Sequence, residues 1–222
     1  MATRLEIYNH ALMICGERFL STLTEDREPR RLLDHVWDNE GVKKCLEAGQ
    51  WKFAMRAVRL DYDTAVDPDF GYRRAFQKPT DWCATAGVCS DEYFNSPLTQ
   101  YVEETGYWFC DLDELFVRYV SNDSAFGGDL SIWPSKFEDY VATFFASKII
   151  LKLTSDENKL KLIMGSDLSG NKNGLLAAAL KRAKSLDMMS GPAIFPAQGS
   201  WSSARRDGSF NRDRGSRSNL IG

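Results

Sequence analysis

The residues that follow Trp133-Pro134 carry the widest apolar stripe in the chain. At the spacing of an α-helix, one side holds the large apolar residues Phe137, Tyr140, Val141, Phe144, Phe145, Ile149 and Leu153. A stripe this wide has to be covered by another layer of structure, because a helix cannot bury its own apolar face. The rest of the chain must therefore supply elements that have one apolar face and can pack on this helix.

Three further segments have helical periodicity. A first helix is predicted over 3–15, with Gly16 as the left-handed residue that ends it. A second helix is predicted to begin at a cap, Asp26, and to continue to about residue 47, because its apolar residues stay on one face. A last helix is predicted over 156–190, although three glycines within it favour breaks.

Between the helical blocks the pattern changes to short runs rich in Val, Tyr, Phe and Trp. Turn residues such as Asp67-Pro68 and Ser96-Pro97 separate these runs. This alternation is typical of a small antiparallel β region. The candidate strands are 56–62, 72–77, 98–104, 107–111 and 115–121.

The order of helices, strands and helices predicts an α+β, mainly α, fold. Residues 1–50 and 130–190 are predicted to form a helical bundle, and 51–129 a small antiparallel β subdomain. Because both helical blocks have one apolar face, we expect the helices of 3–47 and 134–190 to pack on one another. The strands are then expected to project as the smaller subdomain.

The last residues, 191–222, continue none of these patterns. They hold five Gly, six Ser, five Arg and two Asp but no Lys, which gives a charge of +3. The 23 basic and 29 acidic residues of 1–190 give that part of the chain a charge of −6. A segment of this composition cannot bury enough apolar surface to build a core. We therefore predict an extended basic C-terminal arm attached to an acidic body.

Three interpretations of this arm are open from composition alone. Its arginines could contact nucleic-acid phosphates, pair with carboxylates of a partner protein, or keep a disordered end soluble. Aromatic residues favour the second, since they are natural anchors for a groove and arginine is also enriched at interface hot spots. The predicted docking residues are Phe195, Trp201, Arg205, Arg206, Phe210, Arg212 and Arg214.

No known catalytic or metal-binding pattern occurs in the sequence. The two histidines, His10 and His35, fall on different predicted helices without ligand spacing. The motifs G-x-S-x-G, H-E-x-x-H and G-x-G-x-x-G are absent from the sequence. The five cysteines form no C-x-x-C pair, which favours reduced thiols, and we expect Cys83 and Cys89 to pack in the core. We therefore expect no enzymatic activity, no cofactor and no bound metal.

Charge and hydropathy also exclude two classes of protein. The net charge of −3 and the pI near 5.5 argue against a dedicated nucleic-acid binder that depends on overall positive charge. The richest apolar run, 140–146, is far shorter than the ~20 residues of a membrane span. The N-terminus lacks the apolar segment of a secretory signal. We expect no membrane partner, and a chain that stays in the compartment where it is made.

Several sequence blocks, in a fixed order, carry a family resemblance. They are Ile7-Tyr8-Asn9-His10-Ala11-Leu12, Gly16-Glu17-Arg18, Leu23-Thr24-Glu25-Asp26-Arg27-Glu28-Pro29-Arg30-Arg31-Leu32-Leu33-Asp34, Trp51-Lys52-Phe53-Ala54, Tyr72-Arg73-Arg74-Ala75-Phe76-Gln77-Lys78-Pro79, Tyr119-Val120-Ser121, Gly199-Ser200-Trp201 and Ala204-Arg205-Arg206. Together they resemble the head-to-tail adaptor family of short-tailed bacteriophages, also called tail tubular protein A. The resemblance extends over nearly the whole chain, and none of its blocks is a catalytic signature.

The resemblance implies a structural protein of the virion, made in the host cytoplasm. Such adaptors form a ring, commonly of twelve subunits, beneath the portal protein, and receive the tail nozzle or tube protein below. DNA passes through the ring without sequence-specific binding, and the ring takes part in genome retention and ejection. An acidic body suits a DNA conduit, because positive side chains would bind phosphates and hold the genome. The segment 191–222 is then expected to be the portal-docking arm.

A ring of identical subunits also needs two complementary faces on each subunit. Six charges of both signs lie within seven positions at the start of the second predicted helix. They are Glu25, Asp26, Arg27, Glu28, Arg30 and Arg31. We predict that they pair with a neighbouring subunit. The alternative is an exposed helix start, where acidic side chains favour the positive end of the helix dipole.

Two other functional classes stay open. One is a nucleic-acid-associated protein that binds through the basic C-terminal tail. The other is an enzyme with a composite site between subunits. Salt-sensitive binding of duplex DNA by the monomer would support the first, and a bound metal or nucleotide the second.

Overall fold

The computed structural model describes residues 3–68, 71–165 and 174–190. The chain divides into two units, Met1–Met189 and Ser190–Gly222, and the second lies outside the described residues except for Ser190. The fold is α+β and mainly α. The helices are α1 (Arg4–Cys15), α2 (Glu28–Asp38), α3 (Gly41–Glu47), α4 (Ser135–Thr154), α5 (Glu157–Met164) and α6 (Leu175–Met189). The strands are β1 (Met55–Asp61), β2 (Arg74–Gln77), β3 (Trp82–Cys89), β4 (Val102–Glu104), β5 (Tyr107–Cys110) and β6 (Glu114–Ser121).

Helix α4 is the centre of the helical core, and the other five helices all contact it or one of its neighbours. Its predicted stripe is confirmed, since Phe137, Tyr140 and Phe145 are buried together with most of its aliphatic residues. The Phe137 ring lies edge-on to the indoles of Trp51 and Trp133, at centroid distances of 4.8 and 4.9 Å. The two helical blocks therefore pack on one another, as the sequence predicts.

Helix α1 forms as predicted because its sequence carries both end signals. The Thr3 hydroxyl accepts from the backbone N–H of Glu6, and the Glu6 carboxylate accepts from the backbone N–H of Thr3. This capping box satisfies donors that a helix N-terminus leaves without partners. Gly16 ends the helix in the left-handed conformation, with φ of +77°.

The prediction of one continuous second helix is wrong. The segment forms two helices, α2 and α3, with a break at Glu40, whose φ is +60°. The chain makes a close approach at Gly41, where a Cβ atom would lie 2.5 Å from the Val36 carbonyl oxygen and 3.0 Å from the Phe145 ring. The predicted cap is also wrong, because the residue that precedes α2 is Arg27, and Asp26 pairs with an arginine instead.

The last predicted helix is likewise divided, into α5 and α6. Helix α5 is capped by Asp156, whose carboxylate accepts from the backbone N–H groups of Asn158 and Lys159. It ends at Gly165, whose φ is +92°. Residues 166–173, which include part of the predicted helix, lie outside the described residues.

The β region is antiparallel, as predicted, and forms two three-stranded sheets. The first has the strand order β1-β6-β3 and the second β2-β5-β4. One strand, β3, was not predicted, because its small residues Ala84, Ala86 and Gly87 have low β propensity. The predicted strand over 98–104 forms only at its end, as β4.

A second hydrophobic cluster lies between these sheets and contains Phe76, Trp108, Leu115 and Tyr119. A polar tie joins the sheets at Thr85 of β3. Its hydroxyl accepts from the indole N–H groups of Trp82 and Trp108, each at 3.1 Å, and donates to the Glu103 carboxylate of β4 at 3.0 Å. The ammonium group of Lys78 completes the tie, 2.7 Å from the other oxygen of Glu103 and 4.0 Å from the centre of the Trp82 ring.

The inner end of the first sheet belongs to the helical core. Cys83 of β3 and Val120 of β6 are buried in the same cluster as the residues of α1 and α4. The β subdomain is therefore joined to the helical core through shared buried side chains. None of the helices in the described part of the chain is long and apolar enough to cross a membrane.

Candidate interaction surfaces

The predicted docking residues of the arm all lie outside the described residues. They are Phe195, Trp201, Arg205, Arg206, Phe210, Arg212 and Arg214. Their roles stay predictions, and the surfaces described below belong to the body, Met1–Met189.

The six predicted ring-contact charges are engaged within the subunit to different degrees. Arg30 is held on two sides, by the Asp34 carboxylate at 2.6 Å and by the backbone carbonyl oxygen of Glu25 at 2.6 Å. Arg27 donates to the carbonyl oxygens of Arg18 and Phe19 at 3.3 and 3.2 Å. Both arginines therefore hold the loop before α2 in place.

Asp26, Glu28 and Arg31 are the exposed members of this group. The Arg31 guanidinium lies 2.5 Å from the Asp26 carboxylate, and this hydrogen bond lowers the pKa of Asp26. The pair is mostly exposed to solvent, so that it contributes little to the stability of one subunit. The prediction that the six charges contact a neighbouring subunit stays a prediction, and these three side chains are the members of the group that one subunit leaves exposed.

Asp34 links the first two helices. Its carboxylate accepts from Arg4 at 2.7 Å and from the Tyr8 hydroxyl at 2.9 Å on α1, as well as from Arg30 on α2. The Arg4 guanidinium also lies over the ring of Trp37, 4.8 Å from its centre. Burial raises the pKa of Tyr8, so that its hydroxyl stays protonated and donates to Asp34. This arrangement fixes the position of α2 on α1.

Asp81, where the first sheet meets the helical core, accepts hydrogen bonds from several side chains, as Asp34 does. We call each of these carboxylates, with its donors, a hub: the Asp34 hub and the Asp81 hub. The Asp81 side chain is 13% exposed and accepts from Arg56 at 2.9 Å, from the Tyr119 hydroxyl at 3.1 Å and from the Ser121 hydroxyl. Burial alone would raise the pKa of Asp81, but the hydrogen bonds from Ser121, Arg56 and Tyr119 outweigh it and lower the pKa. The carboxylate is therefore ionised at neutral pH.

A serine beside a carboxylate invites comparison with a hydrolase site, but the partners differ. The two histidines lie elsewhere, with His10 3.7 Å from Asp139 and His35 beside Asn39. Burial and the Asp81 charge raise the pKa of Tyr119 to about 12, so that this hydroxyl stays protonated at neutral pH and donates to Asp81. The hub therefore ties β1 and β6 to the turn before β3. No sequence signal distinguished Asp81 from other turn aspartates.

The cysteines are buried thiols. All five are free, and burial raises the pKa of Cys15 and Cys83 to about 11. The prediction that Cys83 and Cys89 pack in the core is confirmed. Within the described residues, no group of three or more His, Cys, Asp or Glu side chains is arranged to hold a metal ion.

The loop of residues 90–96, which we call the Tyr93 loop, presents the most exposed aromatic side chain of the described body. Tyr93 is 74% exposed and follows Asp91 and Glu92. The Asp91 carboxylate accepts from the backbone N–H groups of Asn95 at 3.0 Å and Ser96 at 2.7 Å, and these bonds lower the pKa of Asp91. The sequence indicated only a turn here.

A second exposed surface is the outer face of α6, formed by Ala177, Lys181, Lys184 and Met188. These residues recur at helical spacing, opposite the buried Ala179 and Ala183 of the same helix. Met188 is 76% exposed. The face thus combines two cations with an apolar residue.

Comparison with known proteins adds no family to this description. The chain matches no protein-family model and no curated protein sequence. The resemblance to the adaptor family therefore depends on the sequence blocks alone.

Proposed function

We propose that this protein is a structural adaptor of a phage virion, a subunit of a ring that connects the portal to the tail nozzle. The observation that carries the proposal is the ordered series of sequence blocks, which together extend over most of the chain. In the body, some residues of these blocks are buried in the core. Ile7, Tyr8, Ala11 and Leu12 are the buried face of α1, and Trp51 and Ala54 are buried where the helical core passes into β1.

The distribution of charge supports the same proposal. The body is acidic and the arm is basic, with −6 over 1–190 and +3 over 191–222. An acidic wall repels phosphates, so that DNA moves past it without being held. A basic arm with aromatic residues has the composition of a segment that docks on an acidic partner. The proposed partner is the portal protein.

The internal ties of the body are also suited to a connector. A ring subunit has to keep its shape while neighbours and DNA load it from several sides. The Asp34 hub, the Asp81 hub and the Thr85 tie each join elements that are distant in sequence through several hydrogen bonds. Such satisfied polar networks specify one arrangement of the elements.

The direct test is the mass of the purified protein, alone and with the portal protein of the same phage. We expect a complex with several adaptor subunits on each portal ring. Deleting 192–222 should abolish this complex and leave the helical circular-dichroism signal unchanged, because this composition cannot build a core. Burial of an indole contributes roughly 2–3 kcal/mol, so Trp201→Ala should weaken binding of each subunit by about 30-fold or more.

A matched control and a refuting result define the outcome. Ser203→Ala, in the same segment, should leave assembly unchanged. If the truncated protein still assembles on the portal with undiminished affinity, the arm is not the docking element. If the intact protein forms no complex with the portal, the adaptor function itself is wrong.

The alternative function is nucleic-acid binding through the arm, which its five arginines favour. If all five contact phosphates, the logarithm of the binding constant should fall with the logarithm of salt concentration with a slope of about −4 to −5. Fluorescence anisotropy with duplex DNA measures this slope for the intact chain and for the chain that lacks 192–222. A steep slope that depends on the arm would favour this alternative over the adaptor.

A further inference from the structure

The Tyr93 loop holds an aromatic side chain in solvent at a measurable conformational cost. Phe94 adopts φ of +55°, a left-handed conformation that is unfavourable for a non-glycine residue. The Phe94 ring lies beneath the guanidinium of Arg118 on β6, 4.2 Å from its centre. The strained residue is therefore anchored to the sheet, and its neighbour Tyr93 is left exposed.

Hydrogen bonds define the backbone conformation of the rest of this loop. Besides the two bonds to the Asp91 carboxylate, the backbone N–H of Ser90 donates to the carbonyl oxygen of Ser96 at 3.2 Å. A rigid tyrosine presents a large contact area and loses little conformational entropy on binding. Asp91 and Glu92 give the loop two negative charges, against the one positive charge of Arg118 beside it. The Tyr93 loop is thus an acidic, preorganised aromatic projection.

The outer face of α6 has the opposite character. Lys181 and Lys184 provide positive charge, and Met188 provides a flexible, polarisable apolar contact of the kind that packs on aromatic rings. The C-terminal end of this helix is held in place by Lys52. The backbone N–H of Lys52 donates to the Asp187 carboxylate at 2.9 Å, and the Lys52 ammonium group donates to the Met188 carbonyl oxygen at 3.2 Å. The face is therefore presented by an anchored helix.

We propose that the Tyr93 loop of one copy of this chain docks on the outer face of α6 of a second copy. Glu92 would pair with Lys181 or Lys184, and the Tyr93 ring would pack on Met188 and beneath a lysine ammonium group. Because a projection and a complementary face on different parts of one molecule form a heterologous contact, each subunit can bind one neighbour on each side. This inference deepens the proposed ring, and rests on it, by naming one contact between neighbouring subunits.

Photo-cross-linking tests the contact on the full chain. A light-isotope chain with p-benzoylphenylalanine in place of Tyr93 is mixed at high concentration with an unmodified heavy-isotope chain, alone and on portal. Benzophenone reacts with C–H bonds within contact distance, including those of methionine side chains. We expect light–heavy cross-links to peptides of Leu175–Met189. Mixed isotopes exclude a cross-link within one chain.

Charge reversal gives the specific control. Lys181→Glu with Lys184→Glu on the heavy chain should lower the yield of the α6 cross-link about tenfold, since two attractions become repulsions. Arg182→Glu reverses an exposed cation on another side of α6 and should have a much smaller effect. Glu92→Lys on the light chain should restore the cross-link to the doubly reversed heavy chain. Circular dichroism of each variant confirms that the body is folded.

The outcomes separate this inference from the proposed function. Cross-links that fall on other surfaces, that join residues of one chain, or that ignore the charge reversals overturn the contact. Portal complexes that form normally without an α6 cross-link would retain the adaptor function and refute this interface. A specific α6 cross-link in a protein that never binds portal would retain the interface and refute the adaptor.

Discussion

Removal of the Asp81 carboxylate should destabilise the protein more than removal of any exposed carboxylate. In the Asp81→Ala variant, the guanidinium of Arg56 and the hydroxyls of Tyr119 and Ser121 all lose their acceptor. Loss of one partner from a fully buried ion pair costs about 3–5 kcal/mol. Because Arg56 is 37% exposed and can recover water, we expect about 2–3 kcal/mol here.

The assay is urea unfolding followed by circular dichroism at neutral pH. A loss of this size also lowers the melting temperature by roughly 4–12 °C for a body of this length. Asp113→Ala is the matched control, since the Asp113 carboxylate pairs with Arg74 at 3.1 Å on the surface. That exposed pair should contribute less than about 1 kcal/mol.

The pH dependence of the loss has a definite sign. The pKa of Asp81 is lower in the folded protein than in the unfolded chain, where it is about 3.9. The ionised carboxylate therefore contributes its full stability above that value and loses it as the pH falls through the folded pKa. The difference in stability between wild type and Asp81→Asn should shrink below about pH 3.9. The hub does not hold the sheet if Asp81→Ala lowers the free energy of unfolding no more than Asp113→Ala does. The same conclusion follows if the difference in stability between wild type and Asp81→Asn does not change with pH.

Two further predictions concern packing and the thiols. Gly41→Ala should destabilise the body by about 1–3 kcal/mol in urea unfolding, because the added Cβ would lie 2.5 Å from the Val36 carbonyl oxygen. Gly87→Ala is the control and should be nearly neutral, because nothing lies within 4 Å of its added Cβ. Equal losses of stability in the two variants would contradict this account. The five buried thiols should react with a disulfide reagent at pH 8 only after denaturant is added. Burial hides all five from the reagent, and it also raises the pKa of Cys15 and Cys83 to about 11. Rapid reaction of the folded protein would show that the core opens.

The sequence by itself determined the elements whose signals are local. Thr3, Glu6 and Gly16 lie within or beside one helix, so that the two ends of α1 could be predicted without knowledge of any partner. The stripe of α4 likewise follows from the spacing of its own residues. The alternation of helical and β-like segments was enough to predict the α+β class and the antiparallel sheets.

Only the tertiary structure decided the features that depend on distant partners. Strand β3 has small residues with weak β propensity, and it forms because β6 pairs with it along its length and the helical core covers its inner end. The break before α3 brings Gly41 against the Phe145 ring of α4, about a hundred residues away in the chain, where an added Cβ atom would lie 3.0 Å from that ring.

The candidate sites divide in the same way. Composition alone indicated the basic arm, because charge and missing apolar residues are properties of the segment itself. Asp81 became a hub because Tyr119 and Ser121 reach it from positions 38 and 40 residues away, and Asp34 joins α1 to α2 because Arg4 and Tyr8 reach it from positions 30 and 26 residues away. Local patterns determine what one element can do, whereas the partner of a charge depends on which elements the fold brings together.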